Sequence, residues 1–213
     1  MLAQYLSSCK YLIFMEVMIE VSARHAHLSR EAVDCLFGEN YELTPKKPLS
    51  QPGQYLCEER VDVVGPKFIF KNVAVLGPER KNTQVEMSIT DTIKMGVKHF
   101  IRESGDISGT ESCKIVGQNG EFEIKEGLIV AKRHIHMTPK DAEKIGASNG
   151  QIAKVVINSQ ERATIYDDVV IRIDPNFSLA MHIDTDEGNA INYKSGIKGE
   201  VLLRNSHKKQ PKC

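Results

Sequence analysis

A chain of 213 residues with 28 basic and 28 acidic side chains has no net formal charge. That excludes a sequence-wide binder of nucleic acid or membrane surface and leaves charge to act locally, at a site. The length holds one large domain or two small ones, and the lack of tryptophan leaves few rings for stacking on single-stranded bases.

Taken in chain order, residues 1–14 read as an N-terminal extension. The apolar run over 11–19 is broken by Glu16, is too short to span a membrane, and is followed by no small-residue cleavage site. It reads as a lead into a first strand at Val17–Val21, with a short targeting helix as the sharper alternative. Residues 21–29 then read Val-Ser-Ala-Arg-His-Ala-His-Leu-Ser, and residues 130–138 read Val-Ala-Lys-Arg-His-Ile-His-Met-Thr. His25 and His27 thus precede His134 and His136 by a constant 109 residues, the signature of an internal repeat. Each copy follows a β-branched run and is closed by a hydroxyl residue that opens a helix. Thr138, Pro139 and Asp141 supply an N-cap, a first-turn proline and a first-turn acid, and Ser29 does the same less completely. Gly38 and Gly146 sit where these helices must stop.

The remainder is rich in strand patterns: Val61–Val64, Lys67–Leu76, Gln84–Ile89, Gln151–Asn158, Arg162–Tyr166, Val169–Ile173 and Leu179–Asp184, punctuated by Gly65-Pro66, Gly77-Pro78, Asn149-Gly150 and Asp174-Pro175. The expected fold is mainly β: two small β-barrel domains related by duplication, each capped by short α-helices. The expected boundaries are 15–118 for the first barrel and 119–205 for the second, with 206–213 as a C-terminal tail.

On an extended strand, residues i and i+2 point to the same side, so each His-x-His pair can offer two imidazoles to one metal ion. Two such pairs at matching repeat positions use four of the seven histidines. A catalytic zinc takes three protein ligands and keeps one position open. Glu86 in the first half and His182 in the second lie on later apolar strands and complete two sets: His25/His27/Glu86 and His134/His136/His182. Arg80, in the turn before the Glu86 strand, is a candidate anion clamp, because a guanidinium forks onto phosphate. Arg24 and Arg133, each just before a His-x-His, read as structural. The acidic stretch from Asp184 offers acceptors that could orient the imidazoles, or is an ordinary turn. The five scattered cysteines contain no CxxC pair, fit a reducing cytoplasm, and offer no evident nucleophile beside a motif histidine.

These motifs resemble the phosphate propanoyltransferases, the PduL-type phosphotransacylases. The residues carrying the resemblance are 21–29, Leu-Thr-x-x-Lys-x-Leu-x-Gln-Pro-Gly-Gln at 43–54, Gly-Pro-x-Arg-x-x-x-Gln-Val-Glu-x-Ser at 77–88, Ala-x-Arg-His-Ile-His-Met at 131–137 and Met-His-Ile-Asp-Thr-Asp-Glu-Gly-Asn-Ala at 181–190. Five motifs in order, spread over about residues 17–204, are far more specific than any one. The resemblance implies two zinc ions per chain on the two triads, Arg80 on phosphate, and Ser22, Lys47 and Asn189 near coenzyme A. It also implies acyl-CoA and inorganic phosphate as substrates, propanoyl-CoA or acetyl-CoA among them. The expected setting is the cytoplasm or a bacterial microcompartment, whose shell is then a partner alongside any self-association. Neither a nucleic-acid nor a membrane partner is expected. Two rival readings remain. One is a cupin-like metalloenzyme that uses His25, His27 and Glu31; the other is a non-enzymatic zinc-binding protein of a shell assembly.

Overall fold

The computed structural model describes residues 11–204; residues 1–10 of the expected extension, and the tail at 206–213, lie outside the described residues. Strand β1 (Tyr11–Ser22) leads into the three-residue β2 (His25–His27), and helix α1 (Arg30–Phe37) follows at once. Next come β3 (Pro45–Pro48), β4 (Tyr55–Val64), β5 (Ile69–Gly77), β6 (Gln84–Glu86), α2 (Ile89–Met95), β7 (Ile101–Arg102) and β8 (Glu111–Val116). The second part runs β9 (Glu121–Ala131), β10 (His134–Met137), α3 (Pro139–Ile145), β11 (Ile152–Ile157), β12 (Thr164–Ile173), β13 (Ala180–Asp184), α4 (Thr185–Ala190) and β14 (Lys198–Arg204).

The strands close into two six-stranded barrels. In one the order is β9-β6-β2-β5-β4-β8, with β8 closing back onto β9 and β3 and β7 added outside the ring. In the other it is β1-β13-β10-β12-β11-β14. The orders match strand for strand: each His-x-His strand pairs in parallel with the second strand after it in its own barrel, β2 with β5 and β10 with β12. This is the duplication expected from the repeat, seen in the topology.

The barrels are not the contiguous halves that the repeat suggests. One compact unit comprises residues 21–132 with 182–189; the other comprises residues up to 20, 133–181 and 190 onward. The division at 118/119 fails because the strand before each His-x-His goes to the opposite barrel. β1, which precedes β2, pairs with β14, Val17 opposite Gly199, whereas β9, which precedes β10, pairs with β6 and β8. Strand propensity fixes that these segments are extended, but pairing partners are set by tertiary packing.

Alternation supplies the cores. In β4, Cys57, Val61 and Val63 are buried while their neighbours face outward, and they meet Val73, Val75, Val85, Ile115 and Leu128 from the surrounding strands. Leu28, just after β2, and Leu36 of α1 close that core. The other barrel is filled by Ile135, Met137, Val155, Ile157, Ile171 and Val201, all buried. Each such aliphatic side chain contributes about 1.5–3 kcal/mol when fully buried. Both helices after a His-x-His start as expected. Ser29 Oγ accepts from the Ala32 N–H, and Thr138 forms a reciprocal capping box with Asp141. Gly146 closes α3 in the left-handed region at φ 65°.

Two helices differ from the expected pattern. The strand expected over Gln84–Ile89 stops at Glu86, because Ser88 caps α2 through the Asp91 N–H. The β-branched residues of α2 mask it in sequence. The acidic stretch after His182 is likewise a helix, α4, with Asp184 accepting from the Glu187 N–H and Glu187 answering to the Asp184 N–H. Burial pushes the Asp184 carboxyl up to about 6.

Gly77 ends β5 at the turn that carries Arg80. A Cβ there would lie 2.3 Å from the Tyr55 ring. Gly77→Ala is therefore expected to cost about 1–3 kcal/mol through overpacking, read as a lower urea midpoint.

Candidate metal centre and active site

β2 and β6 run antiparallel with His25 opposite Glu86 and His27 opposite Gln84. That register brings the side chains of His25, His27 and Glu86 together, all three buried. One ligand atom from each lies within 4.8 Å of the others. His25 Nε2 stands 3.6 Å from Glu86 Oε2, and His27 Nε2 stands 3.9 Å from Glu86 Oε1. These separations are too long for charge-assisted hydrogen bonds. They approach the distance of roughly 3.3–3.6 Å between ligand atoms tetrahedrally bound at about 2.0–2.2 Å to one zinc ion.

The proton inventory supports a cation here. His25 Nδ1 donates to the Ala23 carbonyl at 2.8 Å and Nε2 is turned toward the carboxylate, so in the neutral ring Nε2 is an acceptor. Two buried acceptors then face each other, an arrangement that a shared cation relieves. His27 Nδ1 is buried with no partner at hydrogen-bonding geometry, its neighbour being the Leu76 carbonyl. Burial, with His25 and Arg80 nearby, pushes the His27 imidazole down to about 3. Burial alone would raise Glu86, but His25, His27, the Ser104 hydroxyl and Arg80 together hold its carboxyl well below the usual range. Neutral imidazole and ionised carboxylate are the forms that bind a divalent metal, so the residues fit zinc.

Arg80 is fixed to the same neighbourhood. Its N–H donates to the Leu28 carbonyl, and its Nη1 donates to Ser104 Oγ at 2.9 Å. Ser104 and Gln84 both hydrogen-bond Glu86. Neither stands out in the sequence as a site residue: Ser104 sits in a polar loop 18 positions from Glu86 and matches no spacing rule. Gln84 did fall inside a motif, two residues before Glu86 on the same strand face.

In the duplicate, His134 and His136 lie side by side on β10 with ring centroids 4.6 Å apart, both buried, and Phe177 packs on His136 at 4.1 Å. His182 lies on β13, the strand holding in its barrel the place that β6 holds in the other. Its Nε2 is 3.4 Å from Gln51 Nε2. Ser22 ends β1, Lys47 is exposed on β3 and Asn189 is exposed on α4; all three belong to the unit that carries the His25/His27/Glu86 cluster. Arg24 and Arg133 have structural partners: Arg24 forks onto Asp91 at 2.7 and 2.9 Å, and Arg133 donates to the Asp167 carbonyl at 2.7 Å. Glu31, the third ligand in the cupin-like reading, is exposed on α1, and the register supplies Glu86 instead. Burial pushes the Cys57 and Cys113 thiols up to about 11 and about 12, which makes them poor nucleophiles near neutrality.

No described helix is long and apolar enough to cross a membrane. Residues 18–194 match the phosphate propanoyltransferase family. The chain is 53% identical over 192 residues to a phosphate propanoyltransferase of Listeria monocytogenes, covering 90% of each chain. It is 53% identical over 188 residues to one of Clostridioides difficile, covering 88% of this chain and 90% of that one. With one of Thermotoga maritima the identity is 52% over 180 residues, covering 84% and 86%. With these matches spanning most of its length, the chain belongs to the phosphate propanoyltransferase family of acyltransferases.

Proposed function

We propose that the protein is a zinc-dependent phosphate acyltransferase that interconverts a short-chain acyl-CoA and inorganic phosphate with acyl phosphate and coenzyme A, propanoyl-CoA or acetyl-CoA being the acyl donor. The observation carrying this reading is the buried His25/His27/Glu86 cluster with Arg80 hydrogen-bonded into its surroundings. His25, His27 and Glu86 would hold one zinc ion; His134, His136 and His182 would hold a second. Zinc, when bound, supplies a Lewis acid that lowers a thiol's pKa and stabilises developing negative charge.

The chain's own residues supply position. Arg80 presents a planar fork to phosphate oxygens and holds the nucleophile against the thioester carbonyl. Such fixing contributes up to about 7–11 kcal/mol in ideal cases. A phosphate oxygen then forms the new C–O bond, the C–S bond breaks, and the sulfur leaves as the coenzyme A thiolate. Direct attack needs no acyl-enzyme, in keeping with the raised Cys57 and Cys113 thiols. Ser22, Lys47 and Asn189 are assigned to coenzyme A, Lys47 offering a cation to its phosphates.

The test is release of free thiol from propanoyl-CoA and acetyl-CoA, with and without phosphate and a chelator. Release that needs phosphate and stops on chelation is expected, and the rate ratio names the preferred acyl group. Chelator-resistant release removes the metal from the mechanism; no release from zinc-replete, folded protein removes the reaction.

A further inference from the structure

The histidines are not the only groups that hold the Glu86 carboxylate. Its Oε1 accepts from Ser104 Oγ at 2.7 Å and from Gln84 Nε2 at 2.6 Å. A serine hydroxyl has one proton and two lone pairs. The proton goes to the carboxylate, which only accepts, so the two lone pairs receive Arg80 Nη1 at 2.9 Å and Gln84 Nε2 at 3.0 Å. The orientation of the Gln84 amide is fixed in turn, because its Oε1 accepts the Gly105 N–H at 2.8 Å. The hydroxyl and both amide protons are then fully used. Glu86 Oε1 is taken up by two donors, and Oε2 is the oxygen turned to His25 Nε2.

We infer that Ser104 is a positioning residue that ties Arg80 to Glu86: it aims the guanidinium and confines Glu86 to metal ligation through Oε2. The inference rests on the roles proposed above for Arg80 and Glu86. Without the Ser104 hydroxyl, Arg80 loses a fixed acceptor and Glu86 Oε1 loses one of its two donors, so the carboxylate is free to turn. Ser104 is half-buried in a loop, where an alanine leaves the barrel core untouched.

Ser104→Ala is expected to raise the phosphate KM about tenfold while the acyl-CoA KM stays within about twofold. It is also expected to weaken zinc binding about tenfold, measured by chelator competition on the folded protein. Ser104→Thr keeps the hydroxyl and should restore both quantities to within about threefold. In an Arg80→Ala background, Ser104→Ala should add less than about twofold to the phosphate KM, since the serine acts on phosphate through the arginine. Unchanged zinc affinity and phosphate KM in Ser104→Ala, or a full multiplicative effect on top of Arg80→Ala, overturns the assignment. An unchanged phosphate KM in Arg80→Ala alone is a separate result: it defeats the phosphate clamp, and an unchanged zinc affinity in Ser104→Ala then defeats the inference as well.

Discussion

Arg80→Ala should slow phosphate-dependent thiol release about a hundred- to a thousandfold, the usual cost of removing one preorganised charge-stabilising group, with bound zinc unchanged. The separation of the two readouts follows from the geometry. Arg80 Nη1 donates to Ser104 Oγ, and Glu86 keeps the donors Ser104 and Gln84 when the guanidinium is gone. The main chain at Arg80, which donates to Leu28, survives the substitution. Arg80→Lys should recover only part of the activity, because an ammonium is a point charge and not a fork. Wild-type turnover in Arg80→Ala would remove the clamp from the mechanism; loss of zinc along with activity would recast Arg80 as a support of the metal centre.

The second large effect concerns Glu86→Gln. This change keeps the size of the side chain and removes the one anion of the cluster. Zinc content should fall by one ion per chain, affinity at that position should drop on the order of a hundredfold or more, and activity should disappear with it. Thermal denaturation gives an independent reading. A ligand at a thousand times its dissociation constant stabilises the folded state by about 4 kcal/mol, so adding zinc should raise the melting temperature of the parent protein more than that of Glu86→Gln. Equal zinc-induced shifts in both proteins would place the metal elsewhere.

Much of this site can be read from residue types and spacing. The paired His-x-His motifs mark themselves because alternation on a strand leaves two imidazoles on one side, and repetition at a fixed offset makes chance a poor explanation. Glu86 and Arg80 stand out as charges inside or beside an apolar strand. Ser104 does not, because a serine in a polar loop looks like any other; its importance comes from a contact that only the folded chain creates. The helices at Ile89–Met95 and Thr185–Ala190 were hidden for a related reason. The first is built from β-branched residues and the second from acids and a glycine, so local composition argued for strand and turn, whereas the caps at Ser88 and Asp184 decided for helix. The barrels themselves were legible, but their boundaries were not, since nothing in a strand's sequence names the neighbour it will pair with.

The lending of each lead-in strand to the opposite barrel has a consequence for how such a chain can be divided. Cut between residues 118 and 119, the chain yields two pieces that each keep five strands of one barrel and the sixth strand of the other. Neither piece can close its own ring, and each carries the missing stave of its counterpart. Open edges of that kind seek a partner, so the two fragments are complementary by construction and should rejoin when co-expressed.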